Sequence, residues 1–274
     1  SDLDDLVGQI RANEPEAIVL AWIPAAMSGR SRQLGETILP WLSQRWFNGI
    51  DAGHPGLDML AEPTLLRSAG QPANIFNQAT LCWYAAAGAV WASPSPELDE
   101  SRLLPLRQKA AKLGLLLELP LYGRLRLMTS EYCVIGQNSP GCSRCRPGEH
   151  EGRPASIWHL QDRRGQIHPV LTNPRACTSE LLSNFILSAA PELVRLAEAA
   201  PSDNDLPFAN LAVRLAFCEE TPAERRQLVE ACRRLILADS RTRLARAGEF
   251  QDKARRIAAR LETGIGSGHY RQGV

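Results

Sequence analysis

Residues 115–184 decide the fold of this chain, and they read LLLELPLYGRLRLMTSEYCVIGQNSPGCSRCRPGEHEGRPASIWHLQDRRGQIHPVLTNPRACTSELLSN. This stretch holds four of the seven cysteines, in the pattern C-x8-C-x2-C-x31-C, at Cys133, Cys142, Cys145 and Cys177. Four thiolates complete a tetrahedral zinc site or hold the corners of an iron–sulfur cluster. The spacing therefore predicts a metal centre with Cys142 and Cys145 as a local chelate, and the thiols alone do not distinguish zinc from a cluster.

Cysteines have two other common roles, as buried hydrophobic residues and as disulfide partners. Isolated cysteines behave as small buried hydrophobic residues, and Cys82, Cys218 and Cys232 fit that description because each lies in an apolar run. The four central cysteines instead lie among Gly, Pro, Ser, Asn and Arg. Disulfide pairing is disfavoured by the odd total and by the absence of a signal-peptide pattern, which together indicate a reducing compartment.

Several segments of this chain closely resemble the peptidase U32 (collagenase-like) family. The most specific are residues 118–133 (ELPLYGRLRLMTSEYC), 141–145 (GCSRC) and 160–165 (LQDRRG) with His168-Pro-Val, and Cys177 before Ser183-Asn184. Shorter similar segments are residues 74–77 (NIFN), 95–98 (SPEL) and 268–273 (GHYRQG). The order of these segments resembles the carboxy-terminal barrel of the long, multidomain members.

The resemblance implies a βα barrel that carries a four-cysteine iron–sulfur cluster of the 4Fe-4S type. The family name implies a protease, yet several members are oxygen-independent hydroxylases that act on ribosomal RNA, transfer RNA or ubiquinone precursors. The implied partners are an RNA or a small aromatic substrate.

Composition sets wider limits on function. With 274 residues, 44% of them hydrophobic, the chain can bury a substantial core. Its formal net charge of +1 gives no global electrostatic case for nucleic-acid binding. No apolar run approaches the ~20 residues that span a bilayer, so we expect no membrane span and a cytoplasmic protein. A first residue other than Met favours a piece of a longer protein.

Short apolar runs alternate with helical patterns, which is typical of an α/β fold built from βα units. The predicted barrel strands are residues 17–23, 49–53, 72–76, 89–92, 115–119 and 211–217. Helices are predicted over residues 31–46, 77–87, 179–199 and from Pro222 onward, where residues 221–224 form a capping box. Residues 157–171 predict a hairpin with Gly165 at the positive-φ position.

About six strands are fewer than the eight of a complete TIM barrel. We therefore expect an incomplete TIM-barrel-like (β/α) barrel that an upstream domain or a partner chain completes. The expected organisation is barrel units over residues 1–132, a four-cysteine loop and β-hairpin insertion over residues 133–184, and a final strand with helices over residues 185–274.

Polar side chains at predicted strand ends form a candidate rim, because chemistry in such barrels lies where strands end. Glu118, Tyr122 and Arg124 are candidate catalytic residues. The candidate substrate-binding residues are His54, Asn74, Asn77, Ser95 and Glu97. The alternatives are that Asn77 and Ser95 only cap helices, that Glu118 and Arg124 form a structural ion pair, and that His54 is an ordinary loop residue.

Three classes of function remain open: an iron–sulfur-dependent hydroxylase or RNA-modification-type enzyme, a U32 peptidase, and a non-catalytic metal-binding subunit. The sequence lacks an H-E-x-x-H motif and a G-x-S-x-G elbow, so hydroxylation is favoured over proteolysis. Residues 222–260 hold eleven Arg and Lys against five Asp and Glu, which indicates either a local basic face for phosphate or a solvated helix surface.

Overall fold

A computed structural model describes residues 2–23, 47–53, 64–131, 156–173, 178–199 and 208–270. The chain divides into two compact units. The first comprises Ser1–Leu119, Leu196–Val213 and Gln272–Val274, and the second comprises Pro120–Arg195 and Arg214–Arg271. Three elements, over residues 116–123, 190–199 and 211–216, contribute residues to both units.

In the first unit, strands alternate with helices along the chain. Its elements are α1 (Asp2–Asn13), β1 (Leu20–Ile23), β2 (Gly49–Ala52), β3 (Leu66–Ala69), a 3-10 turn (Gln71–Ala73), α2 (Gln78–Ala86), β4 (Ala89–Ala92), α3 (Glu100–Lys112) and the start of β5 (Leu116–Gly123). These strands pair in the order β1-β2-β3-β4-β5, and every pairing is parallel. The expected parallel sheet of βα units is therefore present.

Residues that lie opposite one another in adjacent strands of this sheet form a register row, and one such row is apolar and buried. Ala52 lies opposite Ala69, Ala69 opposite Ala92, and Ala92 opposite Leu117. All four side chains are at most 1% exposed. Small residues in three adjacent strands allow other apolar groups to approach the sheet closely, so this face belongs to the core.

Local signals set the helix ends. The Asn77 side chain accepts a hydrogen bond from the Thr80 N–H at 2.9 Å, and Asp99 caps α3 in the same way through the Arg102 N–H at 3.0 Å. Gly88 follows α2 with φ of 90°, and Gly114 follows α3 with φ of 69°. Glycine adopts this left-handed conformation without a Cβ penalty, so both helices stop there.

The second unit contains an antiparallel sheet and two long helices. Its elements are the end of β5, β6 (Arg126–Ser130), β7 (Ser156–Gln161), β8 (Ile167–Asn173), β9 (Thr178–Leu182), β10 (Phe185–Ser188), α4 (Ala190–Ala199), β11 (Leu211–Ala216), α5 (Pro222–Ile236), α6 (Arg243–Arg260) and β12 (Gly264–Gly266). The antiparallel sheet has the order β6-β9-β8-β7. In addition, β10 pairs antiparallel with β5 and parallel with β12.

Two local predictions in this unit are confirmed. β7 and β8 form the predicted hairpin, and Gly165 takes the positive φ of 79° at its turn. Thr221 and Glu224 form the predicted capping box at the start of α5, with reciprocal bonds of 3.3 Å and 2.8 Å. Both features depend on residues at most a few positions apart, which is why sequence is sufficient to predict them.

Two predictions of elements are wrong. The third strand is Leu66–Ala69, whereas residues 72–76 contain a 3-10 turn and a single bridge from Ile75 to Pro94. The predicted helix over residues 179–199 is instead β9, β10 and the shorter α4. The strands β10 and β12 were not predicted, and the count of six barrel strands stays a prediction. β3 contains the polar residues Arg67 and Ser68, so its sequence lacks the continuous apolar run that predicts a strand. The chain bends at Ser183 between β9 and β10, so residues 179–199 do not form one continuous helix.

Ser183 shows the physical reason for that bend. Its hydroxyl accepts a hydrogen bond from the Leu125 N–H at 3.0 Å and donates one to the Phe185 carbonyl at 2.6 Å. A side chain that bonds to a distant backbone N–H and to the carbonyl two residues later competes with helix formation. The barrel itself and the predicted helix over residues 31–46 stay predictions, the latter because it lies outside the described residues. Within the described ranges, no helix combines the length and the apolar character needed to cross a bilayer.

Candidate functional site

Two carboxylates mark the polar side of the parallel sheet in the first unit. Glu118 in β5 accepts a hydrogen bond from the Ser93 hydroxyl at 2.7 Å. Asp51 in β2 accepts one from the Ser68 hydroxyl at 2.9 Å. Ser68 is 0% exposed and Ser93 is 4% exposed, while both carboxylates are half-buried. Each carboxylate is therefore held by a buried hydroxyl from the neighbouring strand.

The register places these four side chains on one face. Asp51 lies opposite Ser68, one residue before the row of small residues that packs into the core. Ser93 and Glu118 each lie one residue beyond that same row. Side chains alternate between the two faces of a strand, so positions two rows apart share a face. We call Asp51 and Glu118, which the hydroxyls of Ser68 and Ser93 hold in place, the strand-end carboxylates.

Gly70 closes one side of this set. A Cβ at Gly70 would lie 2.6 Å from Asp51 Oδ1, so only glycine fits over that carboxylate without a shift. Asp51 was missed by sequence reasoning. Its signal was a single acidic residue inside the short predicted strand of residues 49–53. Carboxylates at the ends of parallel strands can bind cationic or hydroxyl-bearing groups and can exchange protons with them.

The predicted substrate-binding residues of the first unit have local roles. Asn77 caps α2, as its alternative interpretation proposed. Asn74 adopts a left-handed conformation with φ of 52° at the end of the 3-10 turn, and it is exposed. The buried Ser95 hydroxyl accepts the N–H of the exposed Glu97 at 3.4 Å. His54 lies outside the described residues, and a substrate-binding role stays a prediction for all five.

Tyr122, a predicted catalytic residue, lies in the second unit and is buried beside a carboxylate. Its hydroxyl donates to Glu220 Oε1 at 2.9 Å, and the other Glu220 oxygen accepts the Cys218 N–H at 2.6 Å. Tyr122 is 1% exposed and Glu220 is 5% exposed. Burial, together with the Glu220 charge, raises the pKa of Tyr122 above its ordinary value. The phenol therefore stays protonated and acts as a donor to Glu220.

Arg124 is also engaged within the second unit. Its Nε lies 2.6 Å from Glu219 Oε2, and its side chain is 7% exposed. The same guanidinium donates to the Ser183 carbonyl at 2.9 Å and to the Thr263 hydroxyl at 3.3 Å. The carboxylate partner of Arg124 is thus Glu219, so the predicted structural pair with Glu118 is replaced by a pair 95 residues away along the chain. An arginine that joins three segments fixes their positions.

The four cysteines Cys133, Cys142, Cys145 and Cys177 lie outside the described residues, but the strands that lead to them are described. Ser130 at the end of β6 lies opposite Ser179 in β9, and Asn173 at the end of β8 lies opposite Thr178. Ser156 at the start of β7 lies opposite Thr172. All four strands therefore present the same end toward the cysteine-bearing segments. We call it the cysteine end of the antiparallel sheet.

Hydroxyl side chains occupy the register row next to the pair of Asn173 and Thr178 at this end. Thr172 lies opposite Ser179, and Ser179 lies opposite Ser130. Thr172 is 3% exposed and Ser179 is 4% exposed. The Ser179 hydroxyl has no hydrogen-bond partner among the described residues. Sequence reasoning missed Ser179, although its position two residues after Cys177 was a usable signal.

The remaining cysteines, Cys82, Cys218 and Cys232, are free thiols. The prediction that they are buried is confirmed for Cys232, whereas Cys82 and Cys218 are half-buried. Burial raises the pKa of Cys232 to about 11, and burial with the charges of Glu219 and Glu220 raises the pKa of Cys218 to about 11. These two thiols are therefore protonated and unreactive at neutral pH. In the described part of the chain, no three His, Cys, Asp or Glu side chains form a group that could hold a metal ion.

Four of the eleven basic residues in residues 222–260 form ion pairs on the surface of α5 and α6. Glu224 pairs with Arg260, with its Oε1 2.7 Å from the Arg260 Nε. The other helix-surface pairs are Arg234 with Glu230, Arg246 with Glu249 and Arg255 with Asp252. Asp239, the fifth acidic residue, accepts the N–H groups of Arg241 and Thr242. These four pairs are typical of a solvated helix surface, and a phosphate-binding face stays a prediction for the rest of the segment.

Comparison with known proteins gave one partial similarity. No protein-family model matches the sequence. No curated protein matches it either. Among solved structures, part of this chain is similar to the U32 peptidase Mk0906, with 17% sequence identity and a TM-score of 0.37. The match covers 44% of this chain and 51% of that one, so it spans about half the length of the peptidase.

Proposed function

We propose that this chain is an iron–sulfur enzyme in which Cys133, Cys142, Cys145 and Cys177 hold a 4Fe-4S cluster. The proposed reaction is an oxygen-independent hydroxylation, or a related modification, of an RNA or a small aromatic substrate. The class of reaction is proposed from the resemblance of the cysteine-bearing segments to the U32 family. The observation that supports a shared centre most directly is the common cysteine end of the antiparallel sheet.

The register explains why that observation matters. Residues opposite each other in adjacent antiparallel strands have Cα atoms about 4.5–5.5 Å apart. Ser130 and Ser179 are such a pair. Cys133 follows Ser130 by three residues, and Cys177 precedes Ser179 by two. Two cysteines 44 positions apart in sequence are thus tethered to neighbouring points of one sheet, which greatly lowers the entropy cost of bringing them together.

The residues present at this end fit a sulfur-rich centre. Thiolates are the ligands that iron–sulfur clusters require. The buried Ser179 hydroxyl, which has no hydrogen-bond partner among the described residues, follows Cys177 by two residues in sequence. When bound, the cluster would supply one-electron transfer. Zinc is the alternative metal for the same four thiolates.

The chain's own residues would bind and position the substrate. Glu118 and Asp51 are proposed to bind polar groups of the substrate and to hold or release protons at their carboxylate oxygens. Ser93 and Ser68 would keep these carboxylates in place. Tyr122 is bonded to the buried Glu220 and Arg124 to the half-buried Glu219, so we assign both residues to positioning.

The test is an anaerobic preparation of the full chain. We expect a brown protein with broad visible absorbance that contains iron and inorganic sulfide in equal proportion. Serine substitution of any of the four ligands should remove most of the iron. Cys82→Ser and Cys218→Ser, changed at free thiols, are the matched controls and should retain it. Anaerobic handling is essential because oxygen can oxidise exposed thiolates.

Other results would favour the other functions. A colourless protein with one zinc per chain would indicate a non-catalytic metal-binding subunit. Cleavage of casein or gelatin that is lost in Glu118→Gln would indicate a peptidase. Either result would reject the hydroxylase proposal.

A further inference from the structure

We infer that the edge strand β7 pairs antiparallel with β7 of a second copy of this chain and so joins two antiparallel sheets into one. The inference goes beyond the proposed function and does not depend on it, because it uses only strand residues of the second unit and needs no cluster.

The outer edge of β7 is open. β7 is the last strand in the order β6-β9-β8-β7, and among the described residues only β8 pairs with it. Ile157 is 37% exposed, Trp158 47% and Leu160 43%, so neither face of the strand is covered. A strand at a sheet edge presents unpaired N–H and C=O groups to which another strand can bond.

The two edges of this sheet differ in how they are protected. β6 carries Arg126 and a register shift between Arg126 and Met128, and charges and bulges both discourage pairing with another chain. β7 reads SIWHLQ, without Asp, Glu, Lys, Arg or Pro, and its register with β8 continues without a shift. The β7 edge therefore lacks the features that prevent pairing at the β6 edge.

The ladder between β7 and β8 determines which backbone groups of β7 point outward. The Asp162 N–H donates to the Gln166 carbonyl at 2.9 Å, just beyond the last pair of the two strands. Bonded and non-bonded pairs alternate along an antiparallel ladder. Every second residue of β7 counted back from Asp162 is thus bonded to β8, and the residues between them, Ile157, His159 and Gln161, present their N–H and C=O groups to the outer edge.

These outward groups are complementary to themselves about a twofold axis. Antiparallel pairing centred on His159 places His159 opposite its own copy and Ile157 opposite Gln161, so all three outward residues bond, with about six hydrogen bonds in total. In the same register, Trp158 of each copy lies opposite Leu160 of the other. Because both side chains are close to half exposed in one chain, each removes apolar surface of the other from water.

An apolar register row of the sheet supports a second copy as the occupant. Trp158 lies opposite Val170, Val170 opposite Leu181, and Leu181 opposite Met128. Val170, within the sheet, is 4% exposed, whereas Trp158 at the edge is 47% exposed. Leu160 of a second copy would continue this row and cover its exposed end. Since β7 carries no Asp, Glu, Lys or Arg, none of these charges meets its own copy across the axis.

The experiment is sedimentation velocity of the full chain with a thiol reductant, from about 2 to about 200 µM, which brackets a micromolar Kd. We expect the mass to rise from the 30.1 kDa of one chain toward twice that value. Trp158→Lys and Leu160→Glu should each weaken the dimer at least about tenfold, because each places a charge opposite an apolar side chain. Leu127→Lys, at a 52% exposed residue of β6, is the control and should leave the Kd unchanged.

Combining the two charges tests the register itself. The double variant Trp158→Lys/Leu160→Glu places opposite charges across both symmetry-related pairs, so its dimer should be stronger than that of either single variant. An equimolar mixture of the two single variants should form a heterodimer for the same reason. Unfolded variants would not recover on mixing, so this measurement separates lost pairing from lost folding.

A monomer at every concentration would overturn the inference, and binding of an unrelated extended peptide along β7 by such a monomer would assign the edge to peptide recognition instead. A dimer that is equally strong in Trp158→Lys and Leu160→Glu would place the interface elsewhere. Failure of both charge combinations to recover dimerisation would reject the register centred on His159 and, with it, the pairing proposed here.

Discussion

The hydroxyl of Tyr122 donates a hydrogen bond to Glu220 Oε1 at 2.9 Å, and the two residues are 98 positions apart in sequence. Both side chains are almost completely buried. The rings of Phe217 and Phe250 pack against the phenol, with centroids 6.1 and 6.2 Å away. A carboxylate in such surroundings depends on each of its donors, so this bond connects β5 to the segment before α5 within the second unit.

Tyr122→Phe should therefore destabilise the second unit. The substitution keeps the ring but removes one of the two donors to the buried Glu220 carboxylate, which should cost about 1–3 kcal/mol in the free energy of unfolding. Urea unfolding followed by circular dichroism measures this loss. Glu249→Gln, at an exposed ion pair, is the control and should change stability by less than about 0.5 kcal/mol. A stable Tyr122→Phe protein without activity would instead support direct catalysis by the phenol.

Gly123→Ala should be far more damaging than a typical glycine substitution. Gly123 has φ of 122°, and a Cβ there would lie 2.1 Å from the Ala216 carbonyl oxygen in β11. Both the backbone conformation and the close strand approach exclude a side chain, so we expect a loss above about 3 kcal/mol or no folded protein.

Gly165→Ala is the matched control for that experiment. Gly165 also has a positive φ, of 79°, but the nearest atom to its added Cβ would be 3.7 Å away. Only the conformational cost applies there, about 1 kcal/mol. Equal losses at the two glycines in thermal unfolding would show that the contact with Ala216 is unimportant.

Cys232 should make the protein lose stability at alkaline pH. Burial raises the pKa of its thiol from 9.0 to about 11. Between these values the unfolded chain releases the proton and the folded chain retains it, so stability is complete below pH 9 and falls as pH rises toward 11. The loss should approach about 2–3 kcal/mol. Urea unfolding at several pH values between 8 and 10.5 measures this trend.

The comparison variant is Cys232→Ala. It should be less stable at pH 8, because it leaves a small cavity, yet its stability should decline less steeply with pH. Tyr122 and Tyr270, whose pKa values are also raised by burial, are present in both proteins and cancel in the difference. Parallel curves for the two proteins would contradict the assignment to Cys232.

Tyr270→Phe should loosen the segment that follows β12. The buried Tyr270 hydroxyl donates to the Pro120 carbonyl at 3.0 Å. Its removal should cost about 1 kcal/mol and leave that carbonyl without this donor. Limited proteolysis and urea unfolding should both report the change. If neither responds, this bond does not hold the segment in place.

Short-range features of this protein could be predicted from sequence. The Asn77 cap, the capping box at Thr221 and the hairpin turn at Gly165 each depend on residues within a few positions of one another. Their energetics are local, because a side chain or a glycine satisfies backbone groups of the same turn. The spacing of the four cysteines is likewise fixed by the sequence alone, as is the chemistry that such a set can perform.

Tertiary structure decided the rest. Glu219 as the partner of Arg124 and Glu220 as the partner of Tyr122 lie more than 90 positions away, and Asp51 joins the strand-end carboxylates only through strand register. The assignment of β9 and β10 as strands also required tertiary contacts, since short apolar runs suit either a helix or a strand. Sequence pattern sets what each segment can form locally, and the burial of polar groups against distant partners selects which of those forms persists.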